Sequence, residues 1–489
     1  MRFASPPARS ACQTLVAALA LVLATLFLTV SEAHGQCARP SAVRTDSARR
    51  FVETLVKRDR LIGFGAVVAD RCGSVVFSAV QGLAATEFDV PATRTTPFPL
   101  YSSSKVMTVV ATLVLVQEGR LSLTQPIGQL LPGLPPSWRA ITLEQLLSHS
   151  AGLKNGLNLP AELDSDSVRA RLDSAGFDYP PGTSSRYGQT GYGLLRRVLM
   201  RLEGKPFVEV MAARLFRPLG MISTRYGGAQ AIVPGRATPY ELDDNGDLRR
   251  RYFEHSSDGW AAAGLNSSVD DLGRFIAAVL GGNLLGRELL ERLWRPVTLT
   301  DGSQGRFTLG LDPGGRTGHR SAGFEGGGGA TQRFFHDDGL AVAVVSNGPR
   351  QRFDPEFVAL ELAGIFDDDV RSPASVHAGR IFDLAAAGHQ QRALQMLAEQ
   401  ERKGPEEGLE PALNALGYRL LRHGMAELAV SAFQTNTRLF PSSANAFDSL
   451  GEGLAAASRR EEALLAFERA LQLDPKLTNS ADWVKRLRQ

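Results

Sequence analysis

Apolar residues run in short blocks near both ends of the first 370 positions and in one long block between them. Gly63 to Ala69 and Ser74 to Phe77 read as two strands, with Asp70-Arg71-Cys72-Gly73 as the hairpin turn between them. Ala330 to Phe335 and Leu340 to Ser346 form a second such pair around Asp337-Asp338-Gly339. The stretch VMTVVATLVLVQEG, from Val106 to Gly119, is apolar nearly all round, which predicts a helix buried in the middle of a domain. Strands at both ends with helices between them predict an α+β domain over about 38–367, its antiparallel sheet built from the two chain ends and flanked by helices.

The pattern changes at Asp367-Asp368-Asp369-Val370-Arg371-Ser372-Pro373, an acidic, proline-containing stretch that predicts a linker over 368–376. Beyond it, over 377–489, the chain repeats itself. Leu416-Gly417 recurs as Leu450-Gly451, Ala429 as Ala463, Phe433 as Phe467 and Pro441 as Pro475, always 34 residues later. This period resembles the tetratricopeptide repeat, a helix-turn-helix unit, and implies an all-α repeat domain. Two units fit, about 412–445 and 446–479, and a third around Phe382 to Leu397 fits in a shifted register. Each unit buries its apolar face by stacking on a neighbour, so the first unit and the closing helix Ala481 to Leu487 are expected to act as caps. Such an array is a possible surface for a protein partner.

The N-terminus reads as a processing signal. Arg2 and Arg9 precede an apolar run from Thr14 to Val30, and Ala33-His34-Gly35 supplies small residues for cleavage after Gly35. A signal peptide over 1–35 implies export to the periplasm or the cell exterior. The competing reading retains the run as a membrane anchor, and only then would the protein contact a membrane. Cys12 would leave with the signal. Cys37 and Cys72 remain, either bridged, which would add roughly 3–4 kcal/mol, or as two free thiols. Lys+Arg 54 against Asp+Glu 51 leaves a net charge of +3 with no long basic run, so a nucleic-acid partner is not expected.

The string Pro99-Leu100-Tyr101-Ser102-Ser103-Ser104-Lys105 directly precedes the apolar helix. Ser102 and Lys105 are three apart, so a helix starting there places hydroxyl and amine on one face. The helix N-terminus favours the alkoxide character of an attacking serine, and a desolvated lysine can take its proton. Ser103 and Ser104 fall on other faces. By spacing alone, the plain alternative is a capping serine followed by a solvated lysine.

YSSSK, followed by QEGRLSLTQPIGQLLP (Gln117 to Pro132) and ITLEQLLSHSAGL (Ile141 to Leu153), resembles the serine β-lactamase and penicillin-binding-protein superfamily, in its class C β-lactamase and esterase branch. PGTSSRYGQTGYGLL (Pro181 to Leu195), RPLGMISTRY (Arg217 to Tyr226), AAGLNSSVDDLGRF (Ala262 to Phe275) and GLAVAVVSNG (Gly339 to Gly348) follow in the same order. The resemblance spans about 50–350 and implies a β-lactamase/transpeptidase-like fold, with Ser102 as acylating nucleophile, Lys105 as its partner and Tyr187 as the tyrosine of the Tyr-x-Asn element. Gln189 stands where that element has asparagine, so substrate binding by this amide is in doubt. The third element, Lys-Thr-Gly or His-x-Gly, is assigned to His319 if one residue is inserted after it; counting back from Leu340 to Ser346 points instead to Gly323 or Phe324.

His149 looks like the family's structural histidine. His255 and His336 have no ligand-spaced partners, so no metal is expected, and Gly326 to Gly329 lacks the lysine of a phosphate loop. Asp270 and Asp271 read as helix caps after Ser267 or Ser268. The expectation is an exported serine hydrolase, needing no cofactor, that acts on a small or peptide ester or amide as an esterase, D-amino peptidase or β-lactamase. Loss of the usual asparagine and of a clear Lys-Thr-Gly argues against efficient β-lactam hydrolysis. The rival is a catalytically weak scaffold that binds a protein or peptide through its repeats.

Overall fold

The computed structural model describes residues 40–489 except 158, 160–164, 229, 253–258 and 489. The proposed signal segment, Cys37 and His255 lie outside the described residues. Cys72 is disulfide-bonded.

In chain order the strands are β1 (Gly63–Asp70), β2 (Val75–Ala85), β3 (Val90–Pro91), β4 (Phe98–Pro99), β5 (Arg225–Tyr226), β6 (Tyr240–Leu242), β7 (Leu248–Arg250), β8 (Leu265–Ser267), β9 (Asp312–Arg316), β10 (His319–Gly326), β11 (Ala330–Phe335) and β12 (Leu340–Ser346). Seven of them form one antiparallel sheet, ordered β3-β2-β1-β12-β11-β10-β9. The two chain ends meet at its centre, where Phe64 pairs with Ser346 and Asp70 with Leu340. Strand β9 is an edge the hydrophobic pattern does not reveal: Asp-Pro-Gly-Gly-Arg has no apolar alternation, and its register is set by backbone pairing to β10.

Side chains alternate across a strand, so the sheet buries both faces. Ala66 and Val68 pack with Val52 and Leu55 of α1 (Ala42–Arg58) and with Val358 and Leu362 of a later helix, Pro355–Phe366. Val67 and Ala69 face the opposite way, toward α2 (Ser104–Gln117) and the Val269–Leu280 helix. Helix α2 is buried on nearly every side, which is why its sequence is apolar all round. Numbering continues with α3 (Thr190–Glu203), α4 (Val269–Leu280) and α5 (Pro355–Phe366). Ser268 caps α4 by accepting from Asp271 N at 3.3 Å, while Asp271 accepts from Ser223 N and the Thr224 hydroxyl, each at 2.8 Å.

The C-terminal region is all helical: α6 (Pro373–Ala386), α7 (Gln390–Lys403), α8 (Leu409–Arg422), α9 (Ala426–Leu439), α10 (Ala444–Ala456), α11 (Arg460–Leu473) and α12 (Thr478–Arg488). Gly417 of α8 lies against the ring of Phe433 in α9, and Gly451 of α10 lies against Phe467 in α11. The same glycine-on-aromatic contact thus recurs one sequence period later. Residues 368–376, read as a linker, contain the turn Asp368–Val370 with Val370 buried, and Ser372 caps α6. The region docks on the sheet domain through Arg419, whose guanidinium lies 3.8 Å from the ring centre of Phe357 in α5 and 3.5 Å from that of Phe382 in α6. Burial there pulls its pKa down to about 10. Ala42 to Gln489 form one compact unit. No helix of the described residues is long and apolar enough to cross a membrane.

Candidate active site

The YSSSK string folds as a single 3-10 turn, Tyr101–Ser103, leading into α2. Its three serines part company. Ser103 is fully buried, and Gln332 Nε2 of β11 donates to both its hydroxyl and its carbonyl at 3.0 Å. Ser104 Oγ donates to Tyr101 O at 2.5 Å and accepts from Leu265 N at 3.3 Å. Ser102 alone keeps exposed surface. Its Oγ lies 2.9 Å from Tyr187 Oη.

Lys105, one helical turn on, has no exposed surface. Its Nζ lies 2.8 Å from Tyr187 Oη, 3.0 Å from Gln189 Oε1 and 3.0 Å from Ala262 O. The phenol therefore links hydroxyl and amine. Burial pulls the Lys105 ammonium well below the ordinary lysine range, and burial pushes the Tyr187 phenol up.

The loop carrying Tyr187 is held by the segment around His149. Arg186 N and the Tyr179 hydroxyl both donate to His149 O, at 3.0 and 2.8 Å, and Ser185 Oγ donates to Ser148 O at 2.8 Å. Gly188 N donates to His149 Nδ1 at 3.3 Å, and the imidazole packs 5.2 Å from the Tyr187 ring. Burial holds that imidazole well below its usual pKa. Its place is that of a support. Gln189 N donates to Asn155 Oδ1 at 2.8 Å, fixing the start of α3.

Ser102, Lys105, Tyr187 and Gln189 are brought together; His319 is not. It begins β10, opposite Arg316, with Nδ1 2.5 Å from Asp338 Oδ1. Five residues of extended strand, roughly 17 Å, separate it from the end of β10 that reaches the cluster. Phe324 occupies that end, its ring 5.6 Å from Lys105 Nζ and 5.6 Å from the Tyr187 ring. The assignment of His319 to the site is therefore corrected to Phe324, one of the two positions, with Gly323, that counting back from β12 offers. Matching by residue type fails because the third element is defined by where the strand meets α2: Gly326 packs directly under Leu100 O, with space for a hydrogen and no more. The sequence also concealed Gln332 and the carbonyl of Ala262, whose only signal was a polar residue in an apolar strand in the first case and none in the second.

A cavity of about 420 Å³ opens beside Tyr101, walled by Ile232, Val233, Tyr252 and Leu265 and by Arg236 and Arg251. Among the described residues no group of three or more His, Cys, Asp or Glu converges as a metal site.

An exposed serine at the head of a buried helix, beneath an antiparallel sheet and wired to a buried amine through a phenol, defines the β-lactamase/transpeptidase class of fold. A model of the family described as Beta-lactamase matches residues 48–364, and the chain belongs to that family. It is 29% identical over 279 residues to Esterase EstB of Burkholderia gladioli, covering 49% of this chain and 70% of that protein. It is 30% identical over 258 residues to Protein Rv1367c of Mycobacterium tuberculosis, covering 45% of this chain and 64% of that one. An octameric penicillin-binding protein homologue from Pyrococcus abyssi shares the fold at a TM-score of 0.56 and 21% identity, over 69% of this chain and 81% of its own. The chain spans less than two thirds of the length of several curated relatives, 62% and 64%.

Proposed function

We propose that the protein is an exported serine hydrolase that acylates Ser102 with an ester in preference to an amide. The carrying observation is the unbroken run from Ser102 Oγ to Tyr187 Oη to Lys105 Nζ, at 2.9 and 2.8 Å. Ser102 Oγ attacks the carbonyl carbon while its proton passes to the phenol and amine. The oxyanion is met by the backbone N–H of Ser102 and by one from β10 near Ala322 to Phe324. The leaving alcohol or amine takes the proton back, the acyl group stays on Ser102, and water then cleaves it by the same steps in reverse.

Preference for esters is supported by the apolar Phe324 where the family carries Lys-Thr-Gly or His-x-Gly, and by the likeness to an esterase at 29% identity. An ester needs less help at its leaving group than an amide does. Export is supported by the basic, apolar and small-residue pattern of residues 1–35. The 34-residue period and the recurring glycine-on-aromatic contact support a tetratricopeptide-like array with a protein partner.

Labelling with a fluorescent fluorophosphonate, compared with Ser102→Ala, is the test. Ser102-dependent label is expected. Its absence would favour the scaffold reading, which Phe324 also motivates. A panel of short-chain nitrophenyl esters, a chromogenic cephalosporin and a D-Ala-D-Ala peptide then ranks the substrates, with the esters expected to turn over fastest.

A further inference from the structure

Donors and acceptors around the buried amine can be counted one by one. Lys105 Nζ faces three oxygens: Tyr187 Oη, Gln189 Oε1 and Ala262 O. Tyr187 Oη in turn faces Ser102 Oγ, Lys105 Nζ and Gln189 Nε2, the last at 2.8 Å. The two oxygens of Gln189 and Ala262 can only accept, so in either protonation state two N–H groups of Lys105 point at them. The remaining direction, toward Tyr187, holds a hydrogen in the ammonium and a lone pair in the amine. On the phenol, one lone pair is always taken by the Gln189 N–H.

The consequence differs between the two states. With the ammonium, Lys105 fills the second lone pair of the phenol, whose own hydrogen is then forced onto Ser102 Oγ, the wrong way round for attack. With the amine, the phenol hydrogen turns to the lysine lone pair, and the freed lone pair on Oη receives the Ser102 hydroxyl. The proton path then runs from Ser102 to Tyr187 to Lys105.

We propose that Gln189 is a positioning residue that sets the direction of this path, by accepting from Lys105 and donating to Tyr187 at once. This rests on the acyl-transfer reading of Ser102, and it moves Gln189 from substrate contact to proton transfer. Asparagine, shorter by one methylene or ~1.5 Å, would draw the amide back from both groups at this backbone position. The departure from the family pattern therefore has a use. The groups facing Nζ are consistent with an amine: the phenol of Tyr187, the ring of Tyr192 at 5.3 Å and the neutral His149, with Arg306 beyond it. Desolvation, rather than any neighbouring charge, governs the lysine.

The experiment is the pH dependence of kcat and KM on a nitrophenyl ester for the full chain and for Gln189→Leu, Gln189→Glu and Gln189→Asn, each checked for native folding by near-UV circular dichroism. Gln189→Leu keeps the bulk without the amide and is expected to lose ~100-fold in kcat at little cost in KM. Gln189→Glu places a carboxylate against Nζ and is expected to move the acid limb of the profile up by ~1 unit or more, with activity recovering at alkaline pH. Gln189→Asn is expected to remain below wild type at every pH. A leucine variant with wild-type kcat, a loss confined to KM, or a glutamate variant whose limb coincides with wild type would each overturn the proposal. Fluorophosphonate labelling separates the two levels: Ser102-dependent label with unperturbed Gln189 variants sinks this inference alone, whereas no such label sinks the acylation reading beneath it.

Discussion

Two effects oppose each other on Lys105. Three aromatic rings, of Tyr187, Tyr192 and Phe324, lie 4.8, 5.3 and 5.6 Å from Nζ and favour the cation. Cation–π attraction in a desolvated site is worth ~2 kcal/mol, while removing an ammonium from water costs several. Desolvation wins, and Lys105 gives up its proton far more readily than an exposed lysine does. The amine is the base, and protonation removes it. Acylation should therefore rise with pH through the depressed Lys105 pKa, well below the ordinary ~10.4, and be lost as pH falls through it, measured as burst rate against pH. Lys105→Arg should abolish the burst, because a guanidinium stays charged. Tyr187→Phe keeps the packing on His149 and Phe324 but breaks the proton path; acylation should fall ~10²–10⁴-fold with the melting temperature nearly unchanged. At this scale Ser102, Lys105, Tyr187 and Gln189 were legible because they sit in short strings of fixed spacing. Phe324 was reached only by counting back from the last strand, and there on equal terms with Gly323, because nothing in an aromatic side chain announces a place in a polar site.

Elements are held by close approaches that leave no room for a side chain. A Cβ on Gly326 would collide with Leu100 O and lie 2.9 Å from Ser103 N, on the turn that carries Ser102. Gly326→Ala should slow fluorophosphonate labelling by ~10-fold or more while costing ~1–3 kcal/mol in urea melts, since the strand must back away from the turn. In the helical region a Cβ on Gly451 would lie 2.7 Å from the Phe467 ring. Gly451→Val should destabilise the protein by ~1–3 kcal/mol in the same melts, leaving the labelling rate per folded molecule unaltered. The strands β1, β11 and β12 were legible as apolar runs between turn residues. Strand β10 was not read as a strand, and the histidine of Gly-His-Arg-Ser-Ala-Gly drew the third element to one end of it while the fold uses the other. Strand β9 carries no apolar pattern at all, its pairing being written in the backbone of its neighbour.

At the scale of the whole molecule, composition marks a break near residue 370 where the packing has none. Arg419 of α8 lies between Phe357 and Phe382, Arg422 pairs with Asp354 at the start of α5, and Arg58 of α1 approaches Asp383 at 3.7 Å. Arg419→Ala should lower stability by ~2–4 kcal/mol, read from denaturant melts, because it empties a stacked, desolvated site. A cut placed at the compositional break would uncover one flank of α5, leaving Phe357 and Leu360 open to water. The hydrolase half would then carry a raw apolar patch, and a trimmed version of this protein should clump in solution where the intact chain stays dispersed.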